Sequence, residues 1–274
     1  GKGGTGKTTL AVNMAMSYTG VSLTFLDCDV EEPNAYLFIA AGDYDSTESF
    51  YVDVPSFDLS RCDGCGCCVA ECKFSAITLL LKEPLFFSDL CHSCAACFDV
   101  CPAGAISVVR RKTGVIRRKK FPSIDFADGL LDIGESKSPP LIKHLKMTSR
   151  NEVLTIIDAP PGTACPLVAA LRGADYAILV TEPTAFGLND LKLAVETVKK
   201  LGVKYGVFVN RSVSENDLIS DYCAGANIEI VGRLPFDRRI CEVYSRGGII
   251  IERLPEYLDI FKNTLGVAIE RAVK

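Results

Sequence analysis

Three features are missing from this sequence of 274 residues, and each absence narrows the function. No apolar run reaches the ~20 residues of a membrane-spanning helix, so an integral membrane protein is not expected. Basic charge is not in excess: 30 Lys and Arg stand against 34 Asp and Glu, a net charge of −4, which argues against a general nucleic-acid binder. No charged n-region followed by an apolar h-region is visible, and a cytoplasmic location is expected. What the chain has in quantity is cysteine, 13 residues of it. A small secreted chain would use them for disulfides; in a chain this long the expectation is metal in a reducing compartment.

The first ten residues read GKGGTGKTTL and fit G-x-x-x-x-G-K-[ST], with Gly1, Gly6, Lys7 and Thr8 in the fixed places. Glycines let successive backbone N–H groups turn inward onto phosphate oxygens. Lys7 adds a charge on the β/γ side, and the Thr8 hydroxyl is placed to ligate Mg²⁺. The stretch that follows has apolar residues at helical spacing and a glycine stop at Gly20, so a helix N-terminus also faces the phosphates. A loop of this kind is held by the strand before it, so several further residues, mostly β-branched and ending in a small one, are expected ahead of Gly1.

Residues 62–72 read CDGCGCCVAEC and 91–102 read CHSCAACFDVCP. Cys62, Cys65, Cys68 and Cys72, then Cys91, Cys94, Cys97 and Cys101, spell C-x2-C-x2-C-x3-C twice. This is the bacterial two-cluster ferredoxin run, in which each fourth cysteine serves the other run's cluster. The expected 4Fe–4S sets are therefore Cys62, Cys65, Cys68 and Cys101, and Cys91, Cys94, Cys97 and Cys72. Zinc is the rival reading, but zinc sites take their cysteines in pairs and give a third one at x2 spacing no task. CKFSAITL after the first run parallels CPAGAISV after the second, which makes Ile77 and Ile106 equivalent in a repeated unit. Lys73 departs from the proline that Pro102 keeps. Cys67 is an extra thiol that reads as a spare ligand or, by the simpler reading, a small core residue, and packing is likewise expected for Cys28, Cys165, Cys223 and Cys241.

Apolar runs ending in polar or turn residues alternate with helical stretches along the rest of the chain. That pattern predicts an α/β fold: a parallel sheet with helices on both faces and ligands at the carboxyl ends of the strands. The cysteine block interrupts it as a small α+β ferredoxin-like insert over 55–110, between nucleotide-binding parts at 1–54 and 111–274. VVRRKTGVIRRKKF reads as a basic hairpin turning at Thr113 and Gly114, with its lysines on a solvated edge. Residues 254 to 273 read as a long helix packing on its own domain.

The form K-G-G-T-G-K-T-T, with Lys2 directly after the first glycine, resembles the deviant P-loop of the MinD/ParA/Mrp and nitrogenase-iron-protein superfamily. The resemblance implies an ATPase that works as a homodimer with nucleotide at the interface, Lys2 reaching the partner subunit's nucleotide. Gly1, Lys2, Gly3, Gly4, Thr5, Gly6, Lys7, Thr8 and Thr9 would hold ATP or ADP. DCDVEEPN resembles switch I, which makes Asp29 the carboxylate that positions or activates the attacking water. DAPPG resembles switch II, with Asp158 as the Walker-B-type acid and Gly162 as the hinge; Thr8, Asp29 and Asp158 would hold Mg²⁺. VNR resembles the purine-reading element, Asn210 and Arg211, and LPFD resembles the segment beside the base, with Pro235.

With the cysteine runs, the resemblance implies an ATPase coupling nucleotide state to electron transfer through two 4Fe–4S clusters, served by an unidentified redox partner protein. An Mrp-like iron–sulfur carrier is the alternative, although four cysteines per cluster argue against easy release. A MinD-like positioning ATPase is a third reading; neither a nucleic acid nor a membrane is expected as partner.

Overall fold

The computed structural model describes residues 2–20, 22–39, 42–149 and 153–273. Its elements run α1 (Lys7–Ser17), β1 (Leu23–Asp27), α2 (Tyr36–Ile39), β2 (Ser46–Phe57), α3 (Cys67–Glu71), β3 (Ile77–Leu80), β4 (Glu83–Phe86), α4 (Ala96–Asp99), β5 (Ile106–Lys120) and β6 (Ile124–Leu131). They continue with α5 (Pro139–Met147), β7 (Leu154–Asp158), α6 (Cys165–Leu171), β8 (Tyr176–Thr181), α7 (Ala185–Leu201), β9 (Lys204–Ser212), α8 (Leu218–Gly225), β10 (Ile230–Pro235), α9 (Arg238–Ser245), α10 (Ile250–Arg253) and α11 (Leu258–Val273).

Strand β1 shows why the sheet forms. All five of its residues are buried, as a strand covered on both faces requires. Phe25 joins a core with α1 and α11 through Leu10, Met14 and Phe261. Its neighbour Leu26 points the other way, into a core with α5 and α6 through Leu141, Leu145 and Ala169. Helices therefore cover both faces, as expected. A third core joins α7 and α8 to β8 and β9 through Leu191, Val198, Val207 and Ile219.

The expectation of a parallel sheet is corrected: the main sheet is mixed. Its order is β2-β5-β6-β1-β7, with β1 parallel to β6 and β7 but β5 antiparallel to both β6 and β2. The short connection between Lys120 and Ile124 leaves no room for a crossover, so β5 and β6 must run antiparallel. A second sheet, β10-β9-β8, is wholly parallel.

The basic stretch is also corrected. VVRRKTGVIRRKKF makes no hairpin; all but its last residue lies in one strand, β5, which from Gly114 onward runs between β2 and β6 rather than at an edge. Gly114 faces Phe50 and Lys112 faces Tyr51, so Thr113 is an extra residue, a β-bulge. Gly114 is needed because a Cβ there would lie 2.5 Å from the Leu130 carbonyl oxygen. The turn-like pair thus marks a bulge. Here β6 ends, Gly114 opposing Leu131, and β2 and β5 continue outward as a two-stranded ribbon to Phe57 and Ile106. The expected insert boundaries, 55 and 110, both fall inside this ladder.

Beyond the ribbon the repeat is visible in the backbone. Phe57 pairs with Ile106 as Phe86 pairs with Ile77, and the Phe57 and Phe86 rings meet at 6.2 Å. The N–H of Asp58 donates to Ala105 as that of Phe87 donates to Ala76, both at 2.8 Å. Positive φ falls at Gly64 and Ser93, Gly66 and Ala95, and Ser75 and Gly104, each pair related by the shift that carries Cys62 onto Cys91. At the far end of the chain, α11 packs on α1 and β10, as expected of the terminal helix.

Gly114→Val places a good strand former in a strand and should nonetheless destabilise the protein by about 1–3 kcal/mol, because its Cβ meets fixed backbone. Chemical denaturation of the two proteins measures it; equal midpoints would place a turn, not a bulge, at this position.

Candidate functional site

The loop from Lys2 to Gly6 leads into α1, whose first turn carries Lys7, Thr8 and Thr9. Gly4 and Gly6 have φ of 82° and 92°, a conformation that side chains disfavour, and a Cβ on Gly6 would lie 2.3 Å from the Asn210 amide nitrogen. Lys7 Nζ and the Thr5 hydroxyl both donate to the Lys2 carbonyl, at 3.1 Å. Gly1 lies outside the described residues.

Three aspartates stand side by side, two at the carboxyl ends of β1 and β7 and one within β6. Asp27 on β1 is in register with Asp128 on β6 and with Asp158 on β7, and all three are buried. Asp128 is neutralised by Arg117, which donates from Nε and Nη2 at 2.8 and 2.7 Å, and it accepts from the Tyr44 hydroxyl at 2.8 Å. Asp27 accepts the N–H groups of Asp29, Asn34 and Ala35 at 2.9–3.1 Å, which fixes the loop after β1. Burial, with Asp158 alongside, holds the Asp27 carboxyl well above the usual carboxylate range. No motif singles out Asp27 or Asp128; the signal for Asp27 is an acid in the last place of a largely apolar strand, and Asp128, inside β6, carries none.

The Thr8 side chain lies near enough to Asp158 to lower its carboxyl, while Asp158 Oδ2 has no hydrogen-bond partner among the described residues. Burial pushes its carboxyl up to about 6, against the pull of Thr8 and Lys7. Burial likewise pushes Asp29 up to about 6; Lys7 opposes this, and Glu31 and Glu32 add to it. Lys7 in turn is lowered by burial, with Asp158 and Asp29 opposing. Lys7, Thr8, Asp29 and Asp158 thus form one electrostatic group. A buried carboxylate oxygen without a partner beside a threonine hydroxyl and a second acid fits a hard cation such as Mg²⁺.

Of the other expected residues, Asn210 is tied to the phosphate loop. The Asn210 amide donates to the Thr5 carbonyl at 2.9 Å, tying β9 to the loop, and its oxygen accepts from the Arg211 N–H. Arg211 has φ of 53° and pairs with Glu182 at 3.0 Å. Gly162, with φ of 86°, has open space where a Cβ would be. Pro235 closes β10 at the surface. Lys2 is exposed; its ammonium is 3.5 Å from Asp190 and 5.8 Å from the Phe186 ring.

The eight run cysteines line two cavities. One, about 340 Å³ with its mouth included, is lined by Cys62, Cys65, Cys68 and Cys101, with Cys67 beside them. The other, about 490 Å³ on the same measure, is lined by Cys72, Cys91, Cys94 and Cys97, with Phe74 stacked on His92 at its wall. Each fourth cysteine faces the other run's cavity. The repeat holds at sulfur: Cys72 accepts the Ala76 N–H and Cys101 the Ala105 N–H, both at 3.3 Å. Burial pushes the Cys68 thiol up, and Cys62 and Cys101 are near enough to raise it further; Cys97 stands likewise to Cys91 and Cys94. Among the described residues no three His, Cys, Asp or Glu side chains converge closely enough for a single metal ion.

Packing was expected of the remaining thiols. Cys28 and Cys223 are buried, but Cys67, Cys165 and Cys241 are exposed, a correction: each of the three lies at or near the start of a short helix or on its open face. No helix among the described residues is long and apolar enough to cross a membrane.

Residues 1–250 match the family described as CbiA, the CobQ/CobB/MinD/ParA nucleotide binding domain. The chain belongs to this family. Its fold is that of the MinD-type structures, and it is an ATPase. It is 32% identical over 250 residues to the uncharacterized protein MJ0579 of Methanocaldococcus jannaschii, covering 90% of this chain and 87% of that protein. The fold is similar to the cell division ATPase MinD of Pyrococcus furiosus, with a TM-score of 0.61 at 19% identity over 99% of this chain and 95% of that one. It is also similar to the septum site-determining protein MinD of Pyrococcus horikoshii complexed with Mg-ADP, with a TM-score of 0.58 at 19% identity over 97% and 91%.

The raised carboxyl of Asp29 gives a pH signature. Its folded pKa, about 6, lies above the ordinary value of 3.8, so the folded state holds the proton more tightly. The resulting stabilisation is complete below about pH 4 and is lost as pH rises through 6. Asp29→Asn removes that loss. Without Mg²⁺ or nucleotide it should raise the melting temperature at pH 7.5, with the gain shrinking below pH 6. A variant that melts lower than the parent at pH 7.5 would contradict it.

Proposed function

We propose that this ATPase works as a homodimer and couples its nucleotide state to electron transfer through two 4Fe–4S clusters. The observation that carries the reading is the pair of cysteine-lined cavities, whose membership, Cys62, Cys65, Cys68 and Cys101 against Cys72, Cys91, Cys94 and Cys97, is the one exchanged ligation requires. The small core of the segment supports it. Between 54 and 106 the buried apolar side chains are Val54, Ala76, Ile77, Ala105 and Ile106, few for a unit of this length, whereas Phe74, Leu81, Phe87 and Phe98 are exposed. Small units with so little core are stabilised by a metal staple or its equivalent. In this reading 55–110 is a ferredoxin-like insert between nucleotide-binding parts at 1–54 and 111–274.

A bound cluster would supply one-electron chemistry. The eight thiols hold the clusters, and the N–H groups of Ala76 and Ala105 stabilise negative charge on the two exchanged sulfurs. At the nucleotide, the loop N–H groups and Lys7 bind phosphate, and Thr8, Asp29 and Asp158 hold Mg²⁺. Asn210, Arg211 and Pro235 line the base. Asp29, beside the same group, orients a water and accepts its proton. The exposed Lys2 reaches the partner subunit's nucleotide, and Gly162 gives its loop freedom to follow the γ-phosphate. A redox partner protein in the cytoplasm, where thiols stay reduced, completes the scheme.

Anaerobically prepared protein should carry about eight irons and eight sulfides. Under exchanged ligation, Cys62→Ser combined with Cys101→Ser should keep about four irons, because both changes fall on one cluster. Loss of all iron in that double variant would establish sequential ligation, and no iron–sulfur in the parent would end the reading. On the nucleotide side, Lys7→Ala should lose ATP binding, while Lys2→Ala should bind ATP and fail to hydrolyse it. Normal turnover by Lys2→Ala would remove the intersubunit role.

A further inference from the structure

The segment Asp132–Ser138 joins β6 to α5, and its contacts run from the nucleotide side to the second cysteine run. Just before it, the Leu131 N–H donates to the Val30 carbonyl at 2.9 Å; at its end the Ser138 hydroxyl donates to Glu31 Oε1 at 3.1 Å. Val30 and Glu31 directly follow Asp29. Between these anchors, Lys112 Nζ holds both Asp132 oxygens at 3.0 Å, and Arg111 grips the Glu135 carboxylate with both Nη groups. Lys137 Nζ then donates to the carbonyl of Cys91, the first thiol of the second run.

Two details make this more than loop packing. Ser138 is buried directly ahead of α5, where a serine hydroxyl ordinarily caps the helix, yet it makes no cap hydrogen bond and serves Glu31 instead. The two cysteine runs, so alike in backbone, also differ here. The side chains that fix the first run's loop come from within the cysteine segment: Asp63 accepts the Cys65 N–H, and Arg61 donates to the Ala103 carbonyl.

We propose that this strap links the nucleotide-sensing loop to the second cysteine set alone. Displacement of Asp29–Glu31 between nucleotide states moves Ser138, and the adjoining Lys137 carries the movement to the Cys91 loop. The clusters are then unequal, the one held by Cys72, Cys91, Cys94 and Cys97 being the nucleotide-responsive one; that consequence rests on the cluster reading above.

Hydrogen exchange on the protein as isolated, with Mg-ADP and with a non-hydrolysable Mg-ATP analogue, tests the link. Amides of 88–97 should exchange at rates differing about fivefold between the two, and those of 62–68 less than about twofold. In Ser138→Ala the difference at 88–97 should vanish while residues 2–9 remain protected by nucleotide. A response at 88–97 that survives Ser138→Ala, or its absence in the parent with 2–9 protected, overturns the strap. Iron analysis of the same samples separates the readings: a response without iron supports the strap and removes the cluster function, and iron without a response does the reverse.

Discussion

The covalent path between the nucleotide loop and the cysteine segment runs through the antiparallel ladder of β2 and β5. Its inner half is anchored in the main sheet, where β6 covers the second edge of β5. Its outer half is a bare two-stranded ribbon, a structure of marginal stability by itself. Exposed pairs such as Lys112 with Asp132 add at most about 1 kcal/mol each. What stiffens the ribbon is combination: the Arg110 guanidinium over the Tyr51 ring at 4.5 Å, the bidentate Arg111–Glu135 pair, and the strap lying along it. A rigid stem transmits displacement, whereas a loose one would absorb it.

At the same end of the sheet from which the ribbon leaves, three buried aspartates share one register line. Their fates differ by what faces them. Asp128 has Arg117 and becomes a structural ion pair. Asp27 has backbone N–H groups and becomes the clamp of the loop after β1. Asp158 has Thr8 and an oxygen without a partner, and is the one of the three fitted to a cation. Burial costs are tolerated in this row because each acid is held in a different way.

The sequence made legible whatever depends on spacing. The phosphate loop, the two cysteine runs and the equivalence of Ile77 with Ile106 are local patterns, and the structure buries both isoleucines in matching pairs. It hid what depends on pairing. Thr113–Gly114 has the composition of a turn, and only the partner strand makes it a bulge. Asp27 reads as one more acid in an acidic loop until β6 and β7 lie beside it. The strap of Asp132–Ser138 is a polar connection with no motif, and its meaning comes from contacts far away in the chain.

The central claim is that nucleotide and redox centre sense each other. Its most direct test is an anaerobic redox titration followed by electron paramagnetic resonance, with Mg-ADP and then with a non-hydrolysable Mg-ATP analogue. The account predicts two 4Fe–4S signals, one of which titrates at a different potential in the two nucleotide states while the other stays put. Two signals with unchanged potentials in protein saturated by each nucleotide would contradict it.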